Sequence, residues 1–239
     1  MVVDGVFQAT ATQPFSLDHF WQAHGEWVEA PNQRRGGESG VKRVQAIDGE
    51  TLYVKRQVGH VYRSWLHPLG RPTVLRERAA LTALRDLGVK VPAIVFCNVQ
   101  RDPDNQWRGV LVTRALDGFQ DLAAWSATAD WQHAEPALQE ALLQALALTL
   151  ARMHRARWQH GCLYEKHVFV RVVGQAHKSQ VQIALLDLEK SRRRISASHA
   201  AQHDLKQLRR HSSFSEAQWS RLLYFYFDAF GSAIKGLES

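Results

Sequence analysis

The sequence predicts an α+β chain in two parts, a strand-rich first part carrying one helix and a helix-rich second part. Three observations predict it. Between residues 27 and 116 the apolar residues fall in short β-type runs bounded by turn formers. Within that span a helical period occurs only at 72–87. From residue 136 onward, long amphipathic stretches take over. The change of character lies at DGFQDL (117–122), which divides one domain of residues 1–239 into lobes of 1–116 and 123–239 joined by a hinge.

Taken in order, WVEAPNQRR (27–35) and VKRVQAI (41–47) are extended segments separated by GGESG (36–40). Asp48-Gly49 is a tight-turn signal, and TLYVKRQ (51–57) follows as the next strand. PTVLRERAALTALRDL (72–87) has Pro72 suited to a first helical turn, Val74, Leu81 and Leu84 on one face, and Gly88 as its stop. VPAIVFCNV (91–99) and RGVLVTRAL (108–116) are strands split by the turn-forming DPDNQ. PALQEALLQALALTLARMHRA (136–156) is a long helix opening on proline. HGCLYEKH (160–167) follows it directly, then strands at 168–173 and 181–188 and helices at 199–211 and 215–232.

Bulk composition narrows the function classes. The chain has 239 residues, 45% hydrophobic and 22% charged, which is ordinary for a folded soluble protein and unlike a disordered or fibrous one. The first residues lack a charged n-region ahead of a long apolar run, so no secretory signal is expected. Two cysteines, Cys97 and Cys162, build neither a disulfide framework nor a paired metal motif, which fits a reducing cytoplasm. A net charge of +7 favours anionic partners. No aromatic interleaving or known module points to nucleic acid.

Four separated features carry chemistry: Lys55 mid-strand in LYVKRQ, Glu77 in the next helix, the octet HGCLYEKH, and Asp187 after the apolar run IALL. A strand lysine paired with a helix glutamate holds ATP phosphates in protein kinases, and an acid after a buried strand binds Mg²⁺. YVKR (53–56), RERAALTAL (76–84), HGCLYEKH, LLDLEKSRRR (185–194) and HDLKQL (203–208) together resemble the bacterial lipopolysaccharide kinase family. That family includes heptose and Kdo kinases and InaA-like proteins, within the protein-kinase-like superfamily. The resemblance spans roughly residues 25 to 230. It implies a two-lobed protein-kinase-like fold, with a small N-lobe sheet and one helix, a mainly helical C-lobe, and ATP and Mg²⁺ as cofactors.

Residue by residue, the resemblance implies that Lys55 contacts the α- and β-phosphates and pairs with Glu77. His160 matches the first histidine of the loop H-R-D-x-x-x-x-N, Cys162 stands at the catalytic aspartate, and His167 at the metal-binding asparagine. Asp187 is the metal-binding acid, and Asp204 an acid that supports the loop from a later helix. Gly36, Gly37 and Gly40 offer backbone amides to phosphates, although GGESG is not G-x-G-x-x-G. The implied acceptor is a sugar hydroxyl of the lipopolysaccharide core or another anionic glycolipid. The work is then placed in the cytoplasm, with peripheral contact at the inner membrane's cytoplasmic face.

Cysteine is a poor substitute for the loop acid, because an unperturbed pKa of about 8.5 leaves a mostly neutral thiol. Three readings follow. The chain is a working core kinase in which Cys162 or Glu165 takes the base role, a pseudokinase that binds nucleotide without transfer, or a small-molecule kinase of the aminoglycoside and choline kinase branch. KSRRR (190–194) reads equally as a solvated loop or as a contact for a phosphorylated glycolipid. LLYFYFDAF (222–230) reads as a core helix rather than an interfacial anchor, His154 as structural, and Cys97 as a small buried hydrophobe.

Overall fold

The computed structural model describes residues 15–34, 37–65, 67–174 and 180–237. The chain forms two compact units, Met1–Leu81 with Pro92–Leu116, and Thr82–Val91 with Asp117–Ser239.

The first unit opens with α1 (Leu17–Trp21), capped by the Ser16 hydroxyl, which accepts from the His19 N–H at 3.1 Å. β1 (Glu26–Arg34), β2 (Gly37–Gln45) and β3 (Thr51–Val58) follow as an antiparallel meander. Between β2 and β3 the Asp48-Gly49 signal is realised. Gly49 takes φ +82°, and the Asp48 carboxylate accepts from the Glu50 N–H at 3.0 Å. β4 (Val61–Ser64) and β5 (His67–Pro72) form a separate hairpin, which leads into α2 (Thr73–Asp86). β6 (Ile94–Arg101) and β7 (Trp107–Arg114) complete a five-stranded sheet in the order β1-β2-β3-β7-β6. Val44, Leu52, Val54, Val110 and Val112 bury one face of it under Leu17, Phe20 and Ala23 of the α1 region. Each such side chain is stabilised by roughly 1.5–3 kcal/mol relative to exposure.

The second unit begins with β8 (Gln120–Asp121), α3 (Leu122–Ser126) and α4 (Ala129–Gln132). α5 (Pro136–Arg155) has its proline at the start, where the missing N–H costs nothing, and buries Leu142, Leu143, Leu146, Leu150 and Met153. β9 (Trp158–Gln159) leads into the octet, whose last three residues form a 3₁₀ turn, Glu165–His167. β10 (Val168–Val173) pairs with β11 (Gln180–Leu185) and with β8. β12 (Arg192–Arg193), α6 (Ala197–Arg210) and α7 (Glu216–Phe230) follow. α5 packs against α6, α7 and β11. α7 starts with a Ser215/Gln218 capping box, ends at Gly231 (φ +91°), and buries Trp219, Leu222, Leu223 and Tyr226. Its aromatic stretch is thus a core element, as its pattern suggests. No helix among the described residues is long and apolar enough to cross a membrane.

Several boundaries move. Pro72 closes β5 instead of opening α2, because its ring suits the end of an edge strand equally well. β2 starts at Gly37, so the Glu-Ser-Gly of GGESG is strand and not loop. β11 stops at Leu185, and Asp187 lies beyond it in the left-handed region (φ +55°, ψ +58°). Asp tolerates that conformation better than most residues.

Candidate active site

In the first unit, strand alternation decides where Lys55 points. Val54 is fully buried beneath the sheet, so its neighbour Lys55 projects from the opposite face. Lys55 is centred between Val41 of β2 and Leu111 of β7, which fixes its backbone on both sides. On α2, Val74, Glu77, Leu81 and Leu84 share one buried face at helical spacing, so Glu77 is held inward with the apolar residues. Lys55 Nζ lies 2.8 Å from Glu77 Oε2, with both side chains largely shielded. A buried carboxylate needs such a cation, and removal of either member takes that compensation away from the other.

Gly37 and Gly40 sit in β2, and Gly36 lies outside the described residues. A Cβ on Gly40 would fall 2.8 Å from the Trp27 ring and 3.1 Å from the Glu29 carbonyl, where β1 bulges across it. One on Gly37 would meet the Val58 carbonyl at 2.8 Å. Both positions therefore require glycine for packing, whatever else their amides do. Cys97, on edge strand β6, is only partly buried, against expectation; burial still pushes its thiol up to about 11.

In the second unit the octet is held from behind by Asp204 of α6, which is completely buried. Its carboxylate accepts from the His160 N–H at 2.5 Å and the Gly161 N–H at 3.0 Å. His154 Nε2 lies 3.2 Å from Oδ2, and His203 Nδ1 lies 3.1 Å from Oδ1. Burial works to raise the Asp204 pKa, but the hydrogen bonds from His154 and His203 and the neighbouring imidazoles hold it well below the carboxylate range. A carboxylate only accepts, so His154 donates through Nε2 and its Nδ1 accepts from the Tyr226 hydroxyl at 2.9 Å. Tyr226 on α7, His154 on α5 and Asp204 on α6 thus form one buried chain that ends on the loop backbone. Burial, followed by the Asp204 charge, drives the Tyr226 pKa far up, so it stays a donor. Asp204 and His154 are legible in sequence as supports; Tyr226, hidden in an aromatic run, is not.

His160 is fully buried, and burial lowers its pKa to about 4, so the ring is neutral. Its Nδ1 accepts from the Cys162 N–H at 3.3 Å, which leaves the proton on Nε2. That Nε2 makes no hydrogen bond of normal geometry among the described residues, although the Leu186 carbonyl favours its protonated form. The His160 ring stacks on that of His167 at 6.1 Å between centroids. Buried this way, His160 shapes the loop.

His167 donates from Nδ1 to the Cys162 carbonyl at 2.7 Å, so Nε2 keeps its lone pair. That nitrogen lies 3.5 Å from Asp187 Oδ2. A histidine whose second nitrogen is pinned to a backbone carbonyl is arranged as metal-ligating histidines are. The Asp187 side chain is 41% exposed, open to an incoming ligand. Nitrogen and carboxylate at this separation fit two ligands of one divalent cation. No group of three or more His, Cys, Asp or Glu side chains arranged for a metal occurs among the described residues. A cation here would therefore take its remaining ligands from phosphate and water, as Mg²⁺ commonly does.

Cys162 is buried, and the Lys190 ammonium lies near its sulfur. That contact is the main cause of a raised Lys190 pKa, which keeps the ammonium charged. Glu165 is committed elsewhere. Its Oε1 accepts from the Ser213 hydroxyl at 2.8 Å and its Oε2 from the Ser213 N–H at 3.2 Å. Glu165 thereby holds a turn between α6 and α7. Lys190 is the residue that motif reading passes over, because it counts there only as part of a basic run. That run is no loose loop: Arg192 and Arg193 pair with Gln159 and Trp158, and the Arg194 N–H donates to the Arg157 carbonyl at 2.7 Å.

With this geometry in place, comparison with known proteins gives consistent results. The lipopolysaccharide kinase (Kdo/WaaP) family model matches residues 18–226. Protein InaA of Escherichia coli (strain K12) is 39% identical over 216 residues, covering 88% of this chain and 95% of that protein. Among solved structures, WaaP in complex with acyl carrier protein matches with a TM-score of 0.68 at 22% identity, over 88% of this chain and 81% of that chain. At that identity the likeness speaks for the fold, which is the kinase-like α+β fold expected from the order of the motifs.

Proposed function

The chain belongs to the lipopolysaccharide kinase (Kdo/WaaP) family, and from that premise we propose that it transfers phosphate from ATP to a sugar hydroxyl of the lipopolysaccharide core. The observation that carries this reading is the pairing of Lys55 with Glu77 at 2.8 Å in one unit and of His167 with Asp187 at 3.5 Å in the other. These are the residues that the kinase reading requires for nucleotide and metal.

In this mechanism Glu77 holds the Lys55 ammonium in one position, ready for the nucleotide phosphates without further reorganisation. Gly37 and Gly40 bring β2 backbone close to the same strand. A divalent cation, Mg²⁺ as the first expectation, neutralises phosphate oxygens when bound with ATP. His167 contributes its Nε2 lone pair and Asp187 its carboxylate to hold it. Asp204 fixes the direction of the loop amides, and through them the placement of Cys162. Accepting the acceptor hydroxyl's proton would require the thiolate form of Cys162, and the Lys190 ammonium lies near that sulfur. The acceptor lies in a membrane glycolipid on this reading, which places the protein at the cytoplasmic face of the inner membrane.

A second reading is favoured by Cys162 itself: a nucleotide-binding module without transfer. Two measurements separate them. Stabilisation by ATP with Mg²⁺ in a thermal-shift titration is expected on both, and its absence sinks both. Transfer of γ-phosphate to core oligosaccharide, lost in Asp187→Ala with the melting temperature unchanged, supports the kinase. If wild type is silent and Cys162→Asp gains transfer, the second reading stands.

A further inference from the structure

Among the described residues of the first unit, the β4–β5 hairpin presents the most exposed large apolar side chains. Trp65 at its turn is fully exposed (102%), and Leu69 on β5 is 94% exposed. Solvated tryptophan is costly, and the side chain suits the boundary between water and hydrocarbon. The polar side chains of the hairpin are busy with one another. Arg71 Nη1 lies 3.1 Å from His67 Nε2, the Tyr62 ring meets His67 edge-on, and Arg76 stacks over Tyr62 at 4.5 Å. The hairpin is thus shaped by its own contacts while its apolar tip is left outside them.

Charge identifies what the tip faces. From Val61 to Arg76, over the hairpin and the first turn of α2, the chain carries Arg63, Arg71 and Arg76 and not one Asp or Glu. Arg63 is exposed on β4 beside the tip. Exposed tryptophan and leucine framed by cations match an anionic lipid surface, where apolar insertion and phosphate attraction add. We propose that the β4–β5 hairpin is a membrane-docking tip. Trp65 and Leu69 enter the headgroup layer of an anionic bilayer while Arg63 meets lipid phosphates. The proposal extends the membrane location given above but needs neither nucleotide nor acceptor, so binding and phosphotransfer fail independently.

The test is co-sedimentation of the full chain with vesicles of phosphatidylethanolamine and phosphatidylglycerol, against vesicles of phosphatidylcholine alone. Binding to the anionic vesicles that weakens with salt is expected. Trp65→Ser with Leu69→Ser should reduce the partition coefficient at least about tenfold, and Arg63→Gln about fivefold. All three side chains are exposed, so the melting temperature should not move. Equal binding by the double variant overturns the proposal, as does equal binding to neutral vesicles. So does loss only on Ile195→Ser, since Ile195 (97% exposed) follows Arg192–Arg194 in the other unit. A dimer that the double variant dissolves, in a chain that ignores vesicles, assigns the tip to a second copy and likewise overturns it.

Discussion

The two units hold their functional side chains by opposite means. In the first, a lysine on a central strand meets one glutamate on a helix, and both are shielded mainly by the sheet and helix that carry them. In the second, a loop without regular pairing is fixed by a buried carboxylate that serves two backbone amides and two imidazoles. Strand geometry supplies direction through the ladder on both sides of Lys55, whereas loop amides have no ladder and must be satisfied one at a time. Damage to the first site should therefore cost ligand binding, and damage to the carboxylate that holds the second should cost stability as well.

The sharpest way to break this contrast is Asp204→Ala. It strands the His160 and Gly161 amides and the His154 Nε2–H in a dry interior, and should destabilise the protein by about 3–5 kcal/mol in urea unfolding. A loss below about 1 kcal/mol would mean that the loop is not held as described.

Acid should act on the same region, with a similar but smaller effect. The His160 pKa is depressed to about 4 in the folded state, from an unfolded value of 6.5. Between those values the unfolded chain binds a proton that the native chain refuses, so stability falls as pH drops through that window. This one group contributes on the order of 3 kcal/mol across it. Asp204, depressed below its unfolded 3.8, adds loss at still lower pH. Melting temperatures from pH 7 to 4 should show the fall, and His160→Gln should flatten its upper part.

Lys190→Met tests the cation against Cys162. The Lys190 side chain is largely solvent-exposed, so melting should hardly change, while phosphotransfer should fall by roughly tenfold. Rescue by Lys190→Arg would assign the effect to charge. An unchanged rate would leave Lys190 a bystander.

A smaller stability change than that of Asp204→Ala is expected for the ion pair of the first unit. A double-mutant cycle of Lys55→Met and Glu77→Gln should give a coupling of about 1–3 kcal/mol, as fits a pair largely shielded from water. Lys55→Met alone should remove the thermal shift produced by ATP. If the pair instead behaves like Asp204, the division between the two units is wrong.

What could be read from sequence follows the same division. The strand around Lys55, the Asp48-Gly49 turn and the helix 136–155 were legible because each is encoded within a few residues by alternation, turn chemistry or helical period. The β4–β5 hairpin was not, since VYRSWLHPLGRP (61–72) mixes aromatic, basic and breaker residues with no regular alternation. The order of the loop motif pointed to His160, Cys162 and His167, but not to what each does. Those roles depend on partners far along the chain: Ser213 occupies Glu165 from 48 residues away, and Tyr226 reaches His154 across 72. Such pairings leave no local periodicity to detect.

The chain from Tyr226 through His154 to Asp204 also has a consequence for how the protein is made. A ribosome releases HGCLYEKH well before it has joined the residues that orient it. A nascent or prematurely stopped chain that ends ahead of Tyr226 would contain Lys55, Glu77, Cys162, His167 and Asp187, yet its loop support would lack the last member. Every motif would be present, and the protein should still be silent until its final helix has docked.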